Sequence, residues 1–251
     1  LTSLDNIYII LVETSHPGNL GATARAMKNM GVSHLRLVQP PAQFLCKEAT
    51  ARAAGADDLL LKAQLFDSFA ESVQDCHLII GTTARSRTLA WPTLTPRAGA
   101  DKALTMPGKV AIVFGREDAG LTNQELEHCH WIVKIPTNPT FSSLNLAAAV
   151  QILVYELRMK GEEIDSQPAT LPLPLNRPSD APAPAATLEY FYQHLEQTLI
   201  EIEFLDPLKP KLLMRRLRRL FNRVTLLESE VDILRGILTA IKIQRNKSDQ
   251  S

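Results

Sequence analysis

Cysteine is scarce: Cys46, Cys76 and Cys129 are the whole complement, and no two stand in a C-x-x-C pair. That excludes a disulfide framework and a zinc ribbon, and the expected metal complement is none. No apolar run approaches the roughly 20 residues of a membrane span, and no signal-peptide pattern is visible, so a reducing cytoplasm is the expected address. Net charge is also lacking: 27 Lys and Arg balance 27 Asp and Glu, which removes any global field for drawing in nucleic acid. Several nucleotide and hydrolase signatures are missing. There is no Walker-type glycine loop ending in Lys-Ser or Lys-Thr, no G-x-G-x-x-G after a strand, no H-E-x-x-H and no G-x-S-x-G. P-loop nucleotidases, dinucleotide-binding domains and zincin-like or serine hydrolases are thereby disfavoured.

What is present is an alternation. Short apolar, β-branched runs at Ile7–Val12, Leu35–Val38, Leu78–Gly81, Val110–Phe114 and Trp131–Ile135 read as strands. Helical patterns lie between them at Asn19–Met30, Lys47–Ala54, Asp67–Asp75, Pro96–Leu104 and Thr122–Cys129, and a longer one runs from about Leu144 to Lys160. Strands apolar on both faces and separated by helices predict an α/β fold, a parallel sheet flanked by helices. Asn19 is a candidate N-cap and Gly31 a stop for the first helix, while Thr122-Asn123-Gln124-Glu125 matches a capping box. Residues 161–185 hold six prolines, Pro168, Pro172, Pro174, Pro178, Pro182 and Pro184, and read as an extended linker. Three amphipathic helices follow, at about Thr187–Glu201, Lys211–Arg223 and Glu228–Ile243, as a small all-helical appendage. The expected domains are therefore 1–160, the linker 161–185, and 186–247.

In open α/β sheets, ligands bind at the carboxyl ends of strands. Four segments there have unusual composition: Glu13–Gly21, Gly81–Arg85, Gly115–Leu121 and Ile135–Asn145. Singly each reads as an ordinary turn; together they suit a polar, mostly neutral ligand, because rigid proline-bearing backbone precedes a helix amino terminus with unpaired N–H groups.

Three of these segments carry a resemblance. Asn19-Leu20-Gly21-Ala22-Thr23-Ala24-Arg25, Val113–Leu121, and Ile135-Pro136 through Val150 resemble, in order and spacing, the three motifs of the SPOUT (trefoil-knot) methyltransferase superfamily, over about residues 5–160. Three further stretches are similar to its tRNA ribose 2′-O-methyltransferase branch: Val12–His16, Gly81–Pro92 with Arg85-Ser86-Arg87, and the helical tail. The resemblance implies a C-terminal deep trefoil knot in the catalytic domain (the SPOUT fold), a homodimer, S-adenosylmethionine as cofactor, and tRNA as substrate. It further implies 2′-O-methylation of cytidine or uridine at nucleotide 32 of the anticodon loop.

Matching motif positions implies that the donor lies among Thr82, Thr83, Ala84, Gly115, Ile135, Ser142, Ser143 and Leu144, with Gly115 admitting close backbone approach. Arg25 is the sharpest catalytic candidate. It shares a helix face with Gly21, which would leave room beside it, and a guanidinium suits orientation and charge stabilisation better than proton removal. Asn19, Glu117, Ser143 and Asn145 complete the expected catalytic set. The alternative for Arg25 is an exposed arginine paired with a carboxylate; for the other positions it is helix capping, loop hydrogen bonding or core packing.

Arg85, Arg87 and Arg116 are candidates for RNA phosphates, as are Arg215, Arg216, Arg218, Arg219 and Arg223. The last five fall in a run from Lys209 to Arg223 that contains no acid. Leu212, Leu213, Leu217, Leu220 and Phe221 are expected to pack inward beneath these arginines, although a solvated helix face is the common fate of a charge run. His128 and His130 flank Cys129 at a helix-to-strand junction, where neighbours do not converge on a metal. Three alternatives stay open: a SPOUT enzyme acting on ribosomal RNA, a non-catalytic RNA-binding protein that retains the fold, and DNA binding through the arginine-rich helix. DNA binding lacks any second reading element, so no DNA partner and no membrane partner is expected.

Overall fold

The computed structural model describes residues 4–84, 91–166 and 181–248. Arg85, Arg87 and most of the expected proline-rich linker lie outside the described residues. The chain divides into two compact units, Leu1–Pro172 and Leu173–Ser251.

The first unit is built on seven strands: β1 (Ile7–Val12), β2 (His34–Val38), β3 (Gln64–Phe66), β4 (Leu78–Thr82), β5 (Thr93–Leu94), β6 (Val110–Phe114) and β7 (Trp131–Val133). Every pairing is parallel, and the order is β3-β2-β1-β6-β4-β7-β5. The central strands β1 and β6 are buried at every residue, which is why their sequences are continuous apolar runs rather than alternating ones. Placing β6 between β1 and β4, with β7 beyond, sets the carboxyl ends of these four strands side by side. The loops that follow them therefore become neighbours, although more than 100 residues of chain separate the first from the last.

The helices of this unit are α1 (Pro17–Met30), α2 (Lys47–Ala53), α3 (Asp57–Leu61), α4 (Phe69–Val73), α5 (Pro96–Thr105), α6 (Asn123–Glu127) and α7 (Leu146–Ser166). One core joins the Ile7, Ile9 and Leu11 face of β1 to Leu20, Ala24 and Met27 of α1 and to Val150, Leu153, Val154 and Leu157 of α7. Helix α1 packs on both α2 and α7, and α7 also on α5. The approach of α1 to α2 is so close that a Cβ on Gly21 would stand 2.0 Å from the Ala49 carbonyl oxygen. Gly21 thus serves helix–helix packing, not space beside Arg25 as expected. Gly31 ends α1 in the left-handed region, as its position predicts.

Asn19 is not the cap of α1. The helix begins two residues earlier, with Pro17 in its first turn and His16 as N-cap, and the Asn19 side chain is engaged elsewhere. The capping box of α6 is present, with Thr122 accepting from the Glu125 amide and the Glu125 carboxylate accepting from the Thr122 amide. Helix α7 continues past the expected end at Lys160 to Ser166, held there by Arg158–Glu162 and Lys160–Glu163 pairs, so the first residues assigned to the linker are helical.

The second unit contains α8 (Ala185–Glu201), α9 (Leu213–Asn222) and α10 (Glu228–Ser248). Leu188, Phe191, Tyr192 and Leu195 of α8 meet Val231 and Leu238 of α10, with Met214, Leu217 and Phe221 of α9 against them. Phe191 and Phe221 meet edge to face at 5.1 Å. Leu212 and Leu220, expected inward, remain 38% and 47% exposed.

Candidate active site

The loops after β4, β6 and β7 enclose one cavity of about 240 Å³. Thr82, Thr83 and Ala84 reach it from β4, Gly115 from β6, and Ile135, Ser142, Ser143 and Leu144 from the segment after β7. All eight positions expected to hold a donor thus line the same space. Its walls mix apolar faces, from Phe114, Val133, Ile135, Leu144 and Leu146, with threonine and serine hydroxyls, and the β6 loop adds the charged residues Arg116, Glu117 and Asp118. The apolar and hydroxyl-bearing part suits a flat ring system with a polar edge, and the charged side suits a polar tail. The shape of the β6 loop depends on Gly115, where a Cβ would lie 2.2 Å from the Gly120 carbonyl carbon. The close approach that Gly115 permits is therefore to its own loop, which folds back through an Arg116–Gly120 bridge.

On the cavity wall, Glu117 gathers the start of α1. Its carboxylate accepts from Asn19 Nδ2 at 2.9 Å, from the Ser15 amide at 3.1 Å and hydroxyl at 3.2 Å, and from the His16 amide at 3.4 Å. Burial works toward the neutral acid, but the donors from Asn19 and the Ser15 and His16 amides outweigh it. The Glu117 carboxyl is held below the ordinary glutamate range. Asn145 Nδ2 donates to Asn19 Oδ1 at 2.9 Å, while its own oxygen accepts from the Ala147 and Ala148 amides and so caps α7. Three of the expected catalytic residues, Asn19, Glu117 and Asn145, hence form one chain of hydrogen bonds, and Ser143 lies on the cavity wall two residues from Asn145.

Arg25 stands apart from that chain. It is exposed on α1, is not on the cavity wall, and makes no hydrogen bond or ion pair among the described residues.

Two arginines expected at RNA phosphates are occupied instead. Arg116 is held between Glu13 and Glu125: Nε donates to Glu13 Oε2 at 2.9 Å, Nη2 donates to Glu13 Oε1, and both carboxylate oxygens of Glu125 accept from Nη1 at 3.1 Å. These bonds raise its pKa and leave it 19% exposed, so Arg116 braces the loop and its fork is filled. Arg218 forms a bidentate pair with Glu189 at 2.6 and 2.7 Å and lies over the Tyr192 ring at 4.5 Å, facing α8 rather than solvent. Arg216 and Arg223 are exposed, and Arg215 and Arg219 partly so. His130 is buried, with Nδ1 accepting from the Ile79 amide at 3.1 Å; burial pushes its pKa down to about 4. It ties the start of β7 to β4 in its neutral form.

Glu13 and Ser15 carry no motif of their own, and Glu125 carries only its capping signature, so their part in the site is not readable from sequence. Glu13 and Ser15 do lie in a segment singled out by composition.

Residues 6–155 match the SpoU rRNA Methylase family, and residues 186–251 match the C-terminal domain of the tRNA methyltransferase TrmJ. The chain belongs to the TrmJ group of the SpoU methylase family. It is 50% identical over 241 residues to the tRNA (cytidine/uridine/adenosine-2′-O-)-methyltransferase TrmJ of Pseudomonas aeruginosa, covering 94% of this chain and 93% of that protein. It is 49% identical to the tRNA (cytidine/uridine-2′-O-)-methyltransferase TrmJ of Pectobacterium atrosepticum, over 95% of this chain and 98% of that one. Among solved structures, TrmJ from Zymomonas mobilis superposes with a TM-score of 0.79 at 34% identity, over 94% of this chain and 98% of that chain. A probable methylase family protein from Haemophilus influenzae gives 0.65 at 41% identity, over 98% and 99%. The Asn19–Glu117–Asn145 chain lies in the three segments that carry the motifs, and two of those segments, with Thr82, Thr83 and Ala84 after β4, line the cavity.

Proposed function

We propose that this chain transfers the methyl group of S-adenosylmethionine to a ribose 2′-hydroxyl of tRNA, with cytidine or uridine at nucleotide 32 of the anticodon loop as target, and that it works as a cytoplasmic homodimer with the knotted backbone of its superfamily. The observation that carries the reading is the convergence of Thr82, Thr83, Ala84, Gly115, Ile135, Ser142, Ser143 and Leu144 on one cavity.

The residues present fit the donor. Ile135 and Leu144 offer apolar cover for the faces of an adenine, and strand-end amides and carbonyls offer its edge hydrogen-bond partners. When bound, S-adenosylmethionine supplies an electrophilic methyl group on a sulfonium sulfur. The chain's own contribution is then positional. The Asn19–Glu117–Asn145 bonds fix the amino terminus of α1 against that of α7, so the cavity wall and the RNA-facing helix keep one spacing. Arg25, with no competing carboxylate among the described residues, grips the phosphate beside the target ribose and stabilises charge developing at its oxygen. Arg85 and Arg87, which follow Ala84 in the sequence, and Arg215, Arg216, Arg219 and Arg223 in the second unit supply further phosphate contacts; Arg116 and Arg218 are left out, since each is held by carboxylates.

The match of residues 186–251 to the TrmJ C-terminal domain favours tRNA over ribosomal RNA. The test is methyl transfer from tritiated S-adenosylmethionine to bulk tRNA and, in parallel, to ribosomal RNA, followed by nuclease digestion and nucleoside mapping. Label in 2′-O-methylcytidine or 2′-O-methyluridine at nucleotide 32 supports the reading; label confined to ribosomal RNA or to a base overturns it.

A further inference from the structure

We propose that Phe141 is the platform on which the target nucleobase stacks while its ribose faces the cavity, an inference that rests on the tRNA reading above. Phe141 is 79% exposed, the most exposed large hydrophobic residue among the described residues of the first unit. A lone exposed apolar side chain is ordinary on a protein surface; what singles out Phe141 is an aromatic ring on an ordered turn directly preceding three residues that line the cavity.

The ring is held out by an ordered turn. The Phe141 amide donates to the Asn138 carbonyl at 3.0 Å, and the Asn138 side chain accepts from the Thr140 amide at 3.0 Å and hydroxyl at 2.8 Å. Thr137 Oγ1 donates to the Ser142 carbonyl at 3.3 Å, closing the base of the turn. Pro136 and Pro139 further restrict the backbone. The next three residues, Ser142, Ser143 and Leu144, line the cavity, so Phe141 stands at its rim.

Chemistry fixes what must lie there. The cavity has room for one small ligand, so the accepting ribose approaches from outside. Its base is attached at C1′, one carbon from the reacting 2′ position, and therefore projects beside the rim. Drawing that base away from its neighbours loses stacking, which an aromatic face restores. Because every base has a π-face, the platform holds the nucleotide without choosing between cytidine and uridine.

The full-length protein carrying Phe141→Ala, Phe141→Leu or Phe141→Trp tests this on tRNA. Phe141→Ala and Phe141→Leu both lower kcat/KM for tRNA about ten- to a hundredfold, with donor Kd by calorimetry within about twofold of the parent, while Phe141→Trp stays near the parent. Tryptophan fluorescence of the Phe141→Trp protein also quenches on adding tRNA beyond the quench of the parent's Trp91 and Trp131. Parent-like activity of Phe141→Leu overturns the proposal, since leucine keeps apolar bulk without a π-face. So does loss of donor affinity, or a change in oligomeric state on gel filtration, which would assign the ring to a protein contact. A parent protein that transfers no methyl group to tRNA fails the functional reading itself; an active parent whose variants do not differ fails stacking alone.

Discussion

Asn145 Nδ2 donates to Asn19 Oδ1 at 2.9 Å, joining residues 126 positions apart in the chain. Asn19 in turn donates to Glu117, so a single asparagine couples the start of α1 to the β6 loop and to the start of α7. Asn19→Ala cuts both links. The expected result is a fall in kcat of about ten- to a hundredfold with donor Kd little changed, because alignment is lost while the cavity wall stays. Asn19→Asp is expected to be worse than Asn19→Ala, since it sets a carboxylate against Glu117; steady-state kinetics of the two variants check the order.

Glu117 gives a pH dependence with a definite sign. Its folded-state pKa lies below the unfolded value, so its contribution to stability is complete above the unfolded pKa of about 4.3 and is lost as pH falls through the lower folded value. Urea melts of the parent and Glu117→Gln are expected to differ at pH 7 by about 1–3 kcal/mol and to converge toward pH 3. A gap that widens on acidification contradicts this sign.

Arg116→Met leaves the buried Glu125 without its cationic partner, and a loss of about 2–4 kcal/mol is expected in chemical denaturation. Arg116→Met with Glu125→Gln should recover part of it. Were Arg116 chiefly a phosphate contact, the single variant would keep its stability and lose salt dependence of tRNA binding instead.

How much of this was legible in sequence depended on whether a residue's role was local. Ile7–Val12 and Val110–Phe114 announced central strands because burial on both faces demands unbroken apolar runs. Gln64–Phe66 and Thr93–Leu94 did not, being edge strands of three and two residues that carry too little pattern to read. The cavity residues were legible as motif positions, and the strand order explains why they converge. Arg116 and Arg218 were misjudged for one reason: their carboxylate partners, Glu13 and Glu189, lie 103 and 29 residues away, where no local spacing rule reaches. Asn19 looked like a cap because Asn at a helix start usually is one.

In the second unit, exposed Arg216 and Arg223 and partly exposed Arg215 and Arg219 make a testable electrostatic claim. With about four phosphates neutralised, tRNA affinity should fall roughly a hundredfold between 50 and 200 mM salt. Arg216→Gln with Arg223→Gln should flatten the slope by about two contacts, whereas Arg218→Gln should lower the melting temperature and leave the slope nearly unchanged.

The central claim is that loops after β4, β6 and β7 together hold one methyl donor. Calorimetric titration of S-adenosylmethionine into the full-length protein, and into Leu144→Arg, tests it most directly, since Leu144 lines the cavity yet is exposed enough for the fold to tolerate the change. The account predicts saturable binding of one donor per chain in the parent and none in the folded variant. Absence of binding in the parent, or equal affinity in Leu144→Arg, would contradict it.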